Sequence, residues 1–277
     1  MALTKTASNR TRTASKRKAP AKKVPKQVKK YVKGQVDSAN QIREKLLCEP
    51  NNIGTGGDYS NHDFKAFPIV NSDTGGTTTD LMRLMPKIEQ GQKRDQRDGS
   101  KIKLKNINCK FLFTLPETVS QSSAHSAIQC RLLVLSCKTV KNWDRLLTQW
   151  TQGLNLQYNY LRNGAESTRY KGDNFSLHYP VNTALFTTHL DKKFVLNRGH
   201  VEDTTNAHVP YPVKFINFNL KCKNKVVQYE DDDTETAMNF NPFALLIYSY
   251  VSGTVETTTS TDKITGNCIV KANWKNM

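Results

Sequence analysis

Residues 101–115 read KIKLKNINCKFLFTL, and this stretch decides the fold class. In 107–115 apolar residues recur at every second position, the period of a β-strand with one face in a hydrophobic core. Just upstream, Ile102 and Leu104 alternate in the opposite phase. The change of phase at Lys105-Asn106 predicts a β-bulge, because one extra residue would shift every later side chain to the other face.

Further strand signals follow along the chain. Ile128–Cys137 and Phe243–Val251 are apolar on both faces, which predicts central strands. Strict alternation predicts strands at 216–223 and 264–274, and shorter ones are predicted at 157–162, 185–189, 192–196 and 226–229. Many strands with long loops indicate an all-β fold. We expect a single jelly roll, an eight-stranded antiparallel β-sandwich, with one or two short helices.

Two helices are predicted among these strands. In the first, Trp143, Leu146, Leu147 and Trp150 share one helical face, and Asn142 is a suitable N-cap. We interpret this tryptophan stripe as a core-packing face rather than a base-stacking platform. In the second, Val28–Leu47, apolar residues recur at spacings of three and four, which predicts a weak amphipathic helix ended by Pro50.

Positive charge is concentrated at one end of the chain. The 41 Lys and Arg residues outnumber the 24 Asp and Glu residues, which gives a net charge of +17. Residues 1–36 hold 12 of the basic residues and no acidic one, so the other 241 residues carry a net charge of +5. An uncompensated, flexible segment binds polyphosphate by counterion release, without sequence preference. The predicted nucleic-acid-binding residues are Lys5, Arg10, Arg12, Lys16, Arg17, Lys18, Lys22, Lys23, Lys26, Lys29, Lys30 and Lys33.

Composition divides the chain into three segments. Residues 1–36 form a disordered basic arm with the charge density of a nuclear localisation signal, 37–80 a Gly- and Thr-rich linker that includes part of the helix, and 81–277 the sandwich domain. No apolar run approaches the ~18 residues of a membrane helix, and no apolar signal segment is present, so we expect no membrane insertion. The six cysteines lack C-x-x-C spacing and are expected to be buried, in a reducing compartment.

One acidic cluster and the histidines were candidate sites of other kinds. Asp231, Asp232 and Asp233 could bind a hard cation such as Ca²⁺. Their spacing lacks the glycine and terminal glutamate of an EF-hand, so we favour a solvated loop, or a patch that meets a basic surface. The six histidines show no metal-ligand spacing, and no G-x-S-x-G motif is present. We therefore expect no metal, no other cofactor and no enzyme activity.

Three short motifs carry a resemblance to a known family. Met85–Gly91 contains a "QG" loop, and Arg97–Ile102 contains an "R-x-G" turn followed by the start of a strand. Leu190–Leu196 looks like an Asp-Lys turn between two short strands. With a basic arm ahead of a β body, these features resemble capsid proteins of small circular Rep-encoding single-stranded DNA (CRESS-DNA) viruses, of the circovirus-like kind.

This resemblance implies a shell-forming protein. About 60 copies would assemble into a small icosahedral virion, and the arms would face inward with on the order of 700 positive charges on the packaged single-stranded genome. The implied partners are that nucleic acid, other copies of the chain and host nuclear import receptors, and the implied locations are the virion and the host nucleus.

Other functions stay open from the residues alone. One is a non-assembling nucleic-acid-binding protein, such as a viral nuclear shuttle or a chromatin or ribosome component. Another is the capsid protein of a small plus-strand RNA virus, and a third is an enzyme or sugar-binding jelly roll with an incidental tail. The modest charge of residues 37–277 favours a capsid, because a dedicated binder would carry a basic stripe with aromatic residues on its folded face.

Overall fold

A computed structural model describes residues 25–39, 42–47, 62–64, 81–114, 127–151, 154, 156–168, 170, 174–197, 213–230, 234–250 and 264–277. The chain divides into two compact units, 1–38 and 39–277. The first unit contains nearly all of a helix, α1 (Lys26–Ala39). The arm was predicted to be disordered, and its residues 1–24 lie outside the described part of the chain.

The second unit is built from antiparallel strands. Sheet A contains, in spatial order, β1 (Arg43–Leu47), β11 (Ile264–Asn276), β4 (Lys101–Thr114) and β9 (Val213–Gln228), and β2 (His62–Phe64) also pairs with β11. Sheet B contains β3 (Met82–Arg83), β10 (Phe243–Tyr250), β5 (Ala127–Cys137) and β8 (Phe186–Asn197). A small hairpin joins β6 (Leu161–Asn163) to β7 (Glu166–Thr168), and the second helix is α2 (Trp143–Thr151).

These two sheets confirm the predicted all-β sandwich with short helices. Within the described residues, the two main sheet paths hold eight strands. The central strands pair as β4 with β11 in sheet A and as β5 with β10 in sheet B, and both pairs are antiparallel. The core lies between the sheets, where the rings of Phe113 and Phe194 stack at 5.5 Å and Trp274 is fully buried.

The predicted bulge in β4 is also confirmed. Leu104 lies opposite Trp274 and Lys225, whereas Asn106 lies opposite Asn273 and Lys221, so Lys105 has no partner in either neighbouring strand. The extra residue keeps the apolar side chains on both sides of the bulge pointing into the core.

The outer face of sheet B is covered by the segment that connects β5 to β8. The Trp150 ring lies 5.8 Å from the rings of both Phe243 and Tyr160, and Trp143 and Leu146 are also buried. The interpretation of the tryptophan stripe as a core-packing face is therefore confirmed. This covering also explains why β5 and β10, the two central strands, are apolar on both faces.

Among the described residues, none covers the outer face of sheet A. Along β4, buried residues alternate with exposed or half-buried ones, and β9 shows the same alternation. One side of sheet A therefore packs on the core while the other meets solvent, the usual arrangement for an antiparallel sheet. The sandwich is thus asymmetric, with a covered sheet and an open one.

Three predictions of local structure were wrong. In the range predicted as a strand at 157–162, Leu156–Tyr158 forms a 3-10 helix and the strand is β6, which begins at Leu161. Helix α1 ends at Ala39, and the remainder of its predicted range contains strand β1, since pairing with β11 outweighs a weak helical period. The Asp-Lys turn at Leu190–Leu196 is the interior of β8, a continuous edge strand whose polar residues face solvent. None of the helices in the described residues is long and apolar enough to span a membrane.

Candidate nucleic-acid interface

Helix α1 places four predicted binding residues on one face. Lys26, Lys29, Lys30 and Lys33 follow each other at spacings of three, one and three, so they form a stripe about 10 Å long. The other eight predicted residues, Lys5 to Lys23, lie outside the described part of the chain. The side chains of Val28, Tyr31 and Val32 lie away from the lysine stripe and are 46–69% exposed.

This stripe weakens the helix that carries it. Like charges at i, i+3 and i+4 repel each other, and lysines in the first turn oppose the positive end of the helix dipole. The first turn contains no acidic residue to offset them. A bound polyanion would remove both penalties, so the stripe suits a helix that is stabilised by contact with phosphates.

The loop of the "QG" and "R-x-G" motifs is built around Arg97, which is fully buried. The Gly91 amide donates to the Arg97 carbonyl at 3.0 Å, and the Arg97 amide donates to the Glu89 carbonyl at 2.9 Å. The guanidinium donates to the carbonyls of Ile88 at 3.2 Å, Thr234 at 2.8 Å and Gly99.

Arg97 also lies 4.3 Å from the centre of the Tyr229 ring, and burial raises the pKa of that phenol. A buried cation that binds three carbonyls and an aromatic face holds the loop together. Gly99 has a φ of +81°, which favours glycine at that position of the turn. The motif therefore has a structural role in this chain.

A second arginine ties strand β1 to the same loop. Arg43 donates to the carbonyls of Lys93 at 2.9 Å and Gln96 at 2.7 Å, and its Nη2 lies 2.9 Å from Asp98 Oδ2. Next to it, the Lys45 ammonium lies 3.0 Å from Asp95 and lowers the pKa of that carboxyl. Sequence reasoning named Arg97 only as part of a motif and missed Arg43, because local spacing does not show which arginine will bind the carbonyls of a distant loop.

Asp191, the central residue of the third motif, pairs with buried Arg131. The guanidinium also donates to the carbonyls of Leu177 at 2.8 Å and Tyr179 at 2.6 Å. The nearby hydrogen bond between Ser136 Oγ and His189 Nε2, at 2.7 Å, is a separate contact, and none of the hydrogen bonds between described residues joins His189 to Asp191 as a catalytic triad would require.

Of the acidic stretch at 230–235, the structure describes only residues 230, 234 and 235. Asp231, Asp232 and Asp233 lie outside the described residues. At the edge, the Glu235 carboxylate lies 3.9 Å from the Lys87 ammonium, so part of this stretch meets a basic side chain. In the part of the chain that the structure describes, no group of three or more His, Cys, Asp or Glu residues is arranged to hold a metal ion.

The described cysteines have the predicted character of buried apolar residues. Cys109, Cys130, Cys137 and Cys268 are buried and Cys222 is half-buried, while Cys48 lies outside the described residues. Burial raises the pKa of Cys109 to about 12 and that of Cys222 to about 11, so both are protonated at neutral pH.

Comparison with known proteins adds no relative. No protein-family model matches the chain, and no curated protein matches it. The family expectation therefore stays a prediction that depends on the motifs at 85–102 and 190–196 and on the basic arm.

Proposed function

We propose that the chain is a viral capsid protein, of the circovirus-like CRESS-DNA kind, whose copies assemble into a small icosahedral shell. Residues 1–36 bind the packaged single-stranded genome. The observation that carries this proposal is the separation of charge, with 12 basic residues and no acidic one in 1–36 against +5 for the rest of the chain. The lysine stripe on α1 supports the proposal, because four of these twelve basic residues lie on one face of a helix.

The body supports assembly in two ways. It is a β-sandwich whose described residues include an extensive buried core, suited to repeated packing against copies of itself. Its small net charge lets many copies approach each other without strong repulsion, while the arms neutralise phosphates. Entry into the host nucleus, through import receptors that bind the basic arm, completes the proposal.

One observation favours a second candidate, a non-assembling nucleic-acid-binding protein. The uncovered face of sheet A carries lysines on three neighbouring strands and an exposed aromatic residue, Phe215. A basic surface with an aromatic side chain is typical of folded domains that bind single strands. The two candidates share nucleic acid as a partner and differ in assembly.

Assembly is tested by sedimentation and electron microscopy of the purified full chain. We expect large closed particles that contain nuclease-protected nucleic acid, and treatment of the extracted nucleic acid with DNase or RNase identifies the genome type. A slow, small species at every salt concentration and pH would overturn the capsid proposal and favour the second candidate.

The role of the arm is tested with two matched variants. Replacing the twelve basic residues of 1–36 by Gln removes their charge, whereas replacing the nine lysines among them by Arg keeps it. We expect the Gln variant to form particles without protected nucleic acid and the Arg variant to package like the wild type. Packaging by the Gln variant at the wild-type level would contradict the role of the arm.

A further inference from the structure

The uncovered face of sheet A is unusual in its side chains. Reading across the strand register, outward-facing residues of β11, β4 and β9 lie side by side in rows, such as Asn273–Asn106–Lys221 and Lys271–Asn108–Asn219. We call this surface the amide–lysine face. Its members are Asn106, Asn108, Asn217, Asn219, Asn273, Lys101, Lys103, Lys110, Lys221, Lys271 and Lys275.

Four of the asparagines form a hydrogen-bonded ladder across the three strands. Asn273 Nδ2 donates to Asn106 Oδ1 at 3.3 Å, and Asn106 Nδ2 donates to Asn108 Oδ1 at 3.1 Å and to Asn219 Oδ1 at 3.3 Å. These contacts hold the amides in place at the surface. Each amide has two donor hydrogens and two acceptor lone pairs, so the ladder keeps capacity for hydrogen bonds to a ligand above it.

The charge of this face is mostly positive. Among the described side chains that share it, the acidic one is Glu44 on edge strand β1, which pairs with Lys271 and lies 3.5 Å from Arg94. Lys271 lowers the pKa of Glu44, so this carboxylate is ionised at neutral pH. Lys103, Lys110 and Lys221 form no ion pair with a described carboxylate. The face therefore attracts an anion and repels a second copy of itself.

An apolar area continues the face at one end. Phe215, 63% exposed, lies opposite half-buried Leu112, two residues along from the row of Lys110 and Asn217. Val213 and Ile269 border it and are about half exposed. An exposed phenyl ring beside lysines gives an unpaired base a surface on which to stack.

We propose that the amide–lysine face, with Phe215, binds single-stranded nucleic acid. The lysines contact phosphates, Phe215 stacks on a base, and the asparagine amides contact base edges or sugars. Because each amide both donates and accepts hydrogen bonds, any base can be accommodated, and the contact is sequence-tolerant. A duplex would bind less tightly, since its bases are already stacked and paired.

This inference deepens the proposed function, because it adds a contact on the folded body to the contact made by the arm. It also limits how the body can be oriented: in a shell, sheet A would face the genome and sheet B the exterior. In a non-assembling protein the same face would bind the same ligand, so the contact can be measured whether or not particles form.

The test measures binding of a fluorescently labelled oligo-dT to the full chain, with the arm present. One variant is Phe215→Ala, and its matched control is Phe175→Ala, an 82% exposed phenylalanine elsewhere on the body. The other variant is Lys110→Glu combined with Lys221→Glu, and its control is Lys192→Glu, an exposed lysine on sheet B. An unlabelled duplex serves as a competitor.

We expect Phe215→Ala to weaken oligo-dT binding about tenfold or more, with an unchanged salt dependence, because stacking is not ionic. We expect the double lysine variant to weaken binding and to reduce the salt dependence, and both controls to bind like the wild type.

Wild-type affinity in both variants would overturn the inference and leave the arm as the binding segment. A change in particle formation without a change in oligo-dT affinity would also overturn it, and would assign this face to contacts between copies. Duplex competition as strong as that of the single strand would contradict the role of Phe215. A wild-type chain that forms no particles would count against the capsid alone, since oligo-dT binding is measured separately.

Discussion

The Arg131 guanidinium and the Asp191 carboxylate form a two-point ion pair that joins the two strands β5 and β8, with Nε–Oδ1 at 2.8 Å and Nη2–Oδ2 at 2.6 Å. Arg131 is 2% exposed, whereas the Asp191 side chain is 36% exposed. The cation of the pair is therefore buried while its carboxylate is partly exposed to solvent. Arg131 also holds the segment that covers sheet B, because it donates to the carbonyls of Leu177 and Tyr179.

Removal of either partner should destabilise the body, but unequally. Asp191→Asn leaves a buried cation without its counter-ion, and we expect it to lower the free energy of unfolding by about 2–3 kcal/mol. Arg131→Met removes the ion pair and, in addition, leaves the carbonyls of Leu177 and Tyr179 without their donor, so we expect a larger loss of the free energy of unfolding. Urea denaturation measures both, with Lys192→Met as the control for an exposed residue of β8. Equal losses in the two variants would contradict the role of the carbonyl contacts.

The N-cap of α2 should contribute less to the free energy of unfolding than the Arg131–Asp191 pair does. Asn142 Oδ1 accepts hydrogen bonds from the amides of Asp144 at 3.0 Å and Arg145 at 3.1 Å, as the sequence predicted. Asn142→Ala should lower the free energy of unfolding by about 1 kcal/mol, and Asn142→Asp should retain it, since aspartate is an equally good cap. Thermal or urea unfolding checks this, and a loss in the Asp variant equal to that in the Ala variant would contradict capping.

The period of apolar residues in the sequence predicted the strands and the helix that bury one or both of their faces in the core. The alternation in β4, its bulge, the central strands β5 and β10 and the tryptophan face of α2 all follow from it. Strand β8 could not be found in this way as one element, because it is an edge strand. Solvent there tolerates Asp191 and Lys192 in mid-strand, and the two short predicted strands are its ends.

The amide–lysine face could not be predicted for a different reason. The polar positions of β4, β9 and β11 were visible in the sequence as asparagines and lysines on the faces opposite the core. Their meeting in one ladder depends on which strands are neighbours and in which register. Asn219 lies 113 residues and Asn273 lies 167 residues from Asn106 in the sequence. A net charge of +5 averaged over 37–277 concealed a surface whose charge is mostly positive.

His189 should make stability depend on pH. Burial, with a smaller contribution from Lys225, lowers its pKa below the usual 6.5. The unfolded chain therefore binds a proton at His189 more readily than the folded chain, so the free energy of unfolding falls as pH falls through 6.5 and recovers as pH rises. Urea unfolding from neutral pH down to about pH 5 should show a smaller fall for His189→Gln than for the wild type.

A matched histidine serves as the comparison for that measurement. His178 also has a lowered pKa, but it is exposed and lies 2.8 Å from the Lys193 ammonium at the surface. Desolvation, followed by the charges of Lys193 and Arg131, lowers the pKa of His178. We expect His178→Gln to change the pH dependence less than His189→Gln does, because His178 is exposed and the charges near it are screened. Identical pH dependence in the wild type and His189→Gln would show that this histidine does not contribute.

The lysine stripe on α1 should contribute to binding through charge alone. Replacing Lys26, Lys29, Lys30 and Lys33 by Gln preserves helix propensity, so the change removes four charges and little else. For a single strand, each phosphate contact contributes about 0.7 to the slope of log affinity against log salt. We therefore expect the slope measured with oligo-dT to decrease by up to about 3, with weaker binding at low salt.

Two controls separate charge from helix structure in this experiment. Arginine at the same four positions should keep the wild-type slope, whereas Val28→Ser with Val32→Ser, away from the stripe, should leave both slope and affinity unchanged. An unchanged slope in the Gln variant would show that these four lysines make no phosphate contacts. Loss of affinity in the serine variant would instead show that the apolar side of α1 takes part. A reduced slope in the Gln variant with a normal slope in Phe215→Ala would show that α1 contributes ionic contacts to binding and sheet A a stacking contact.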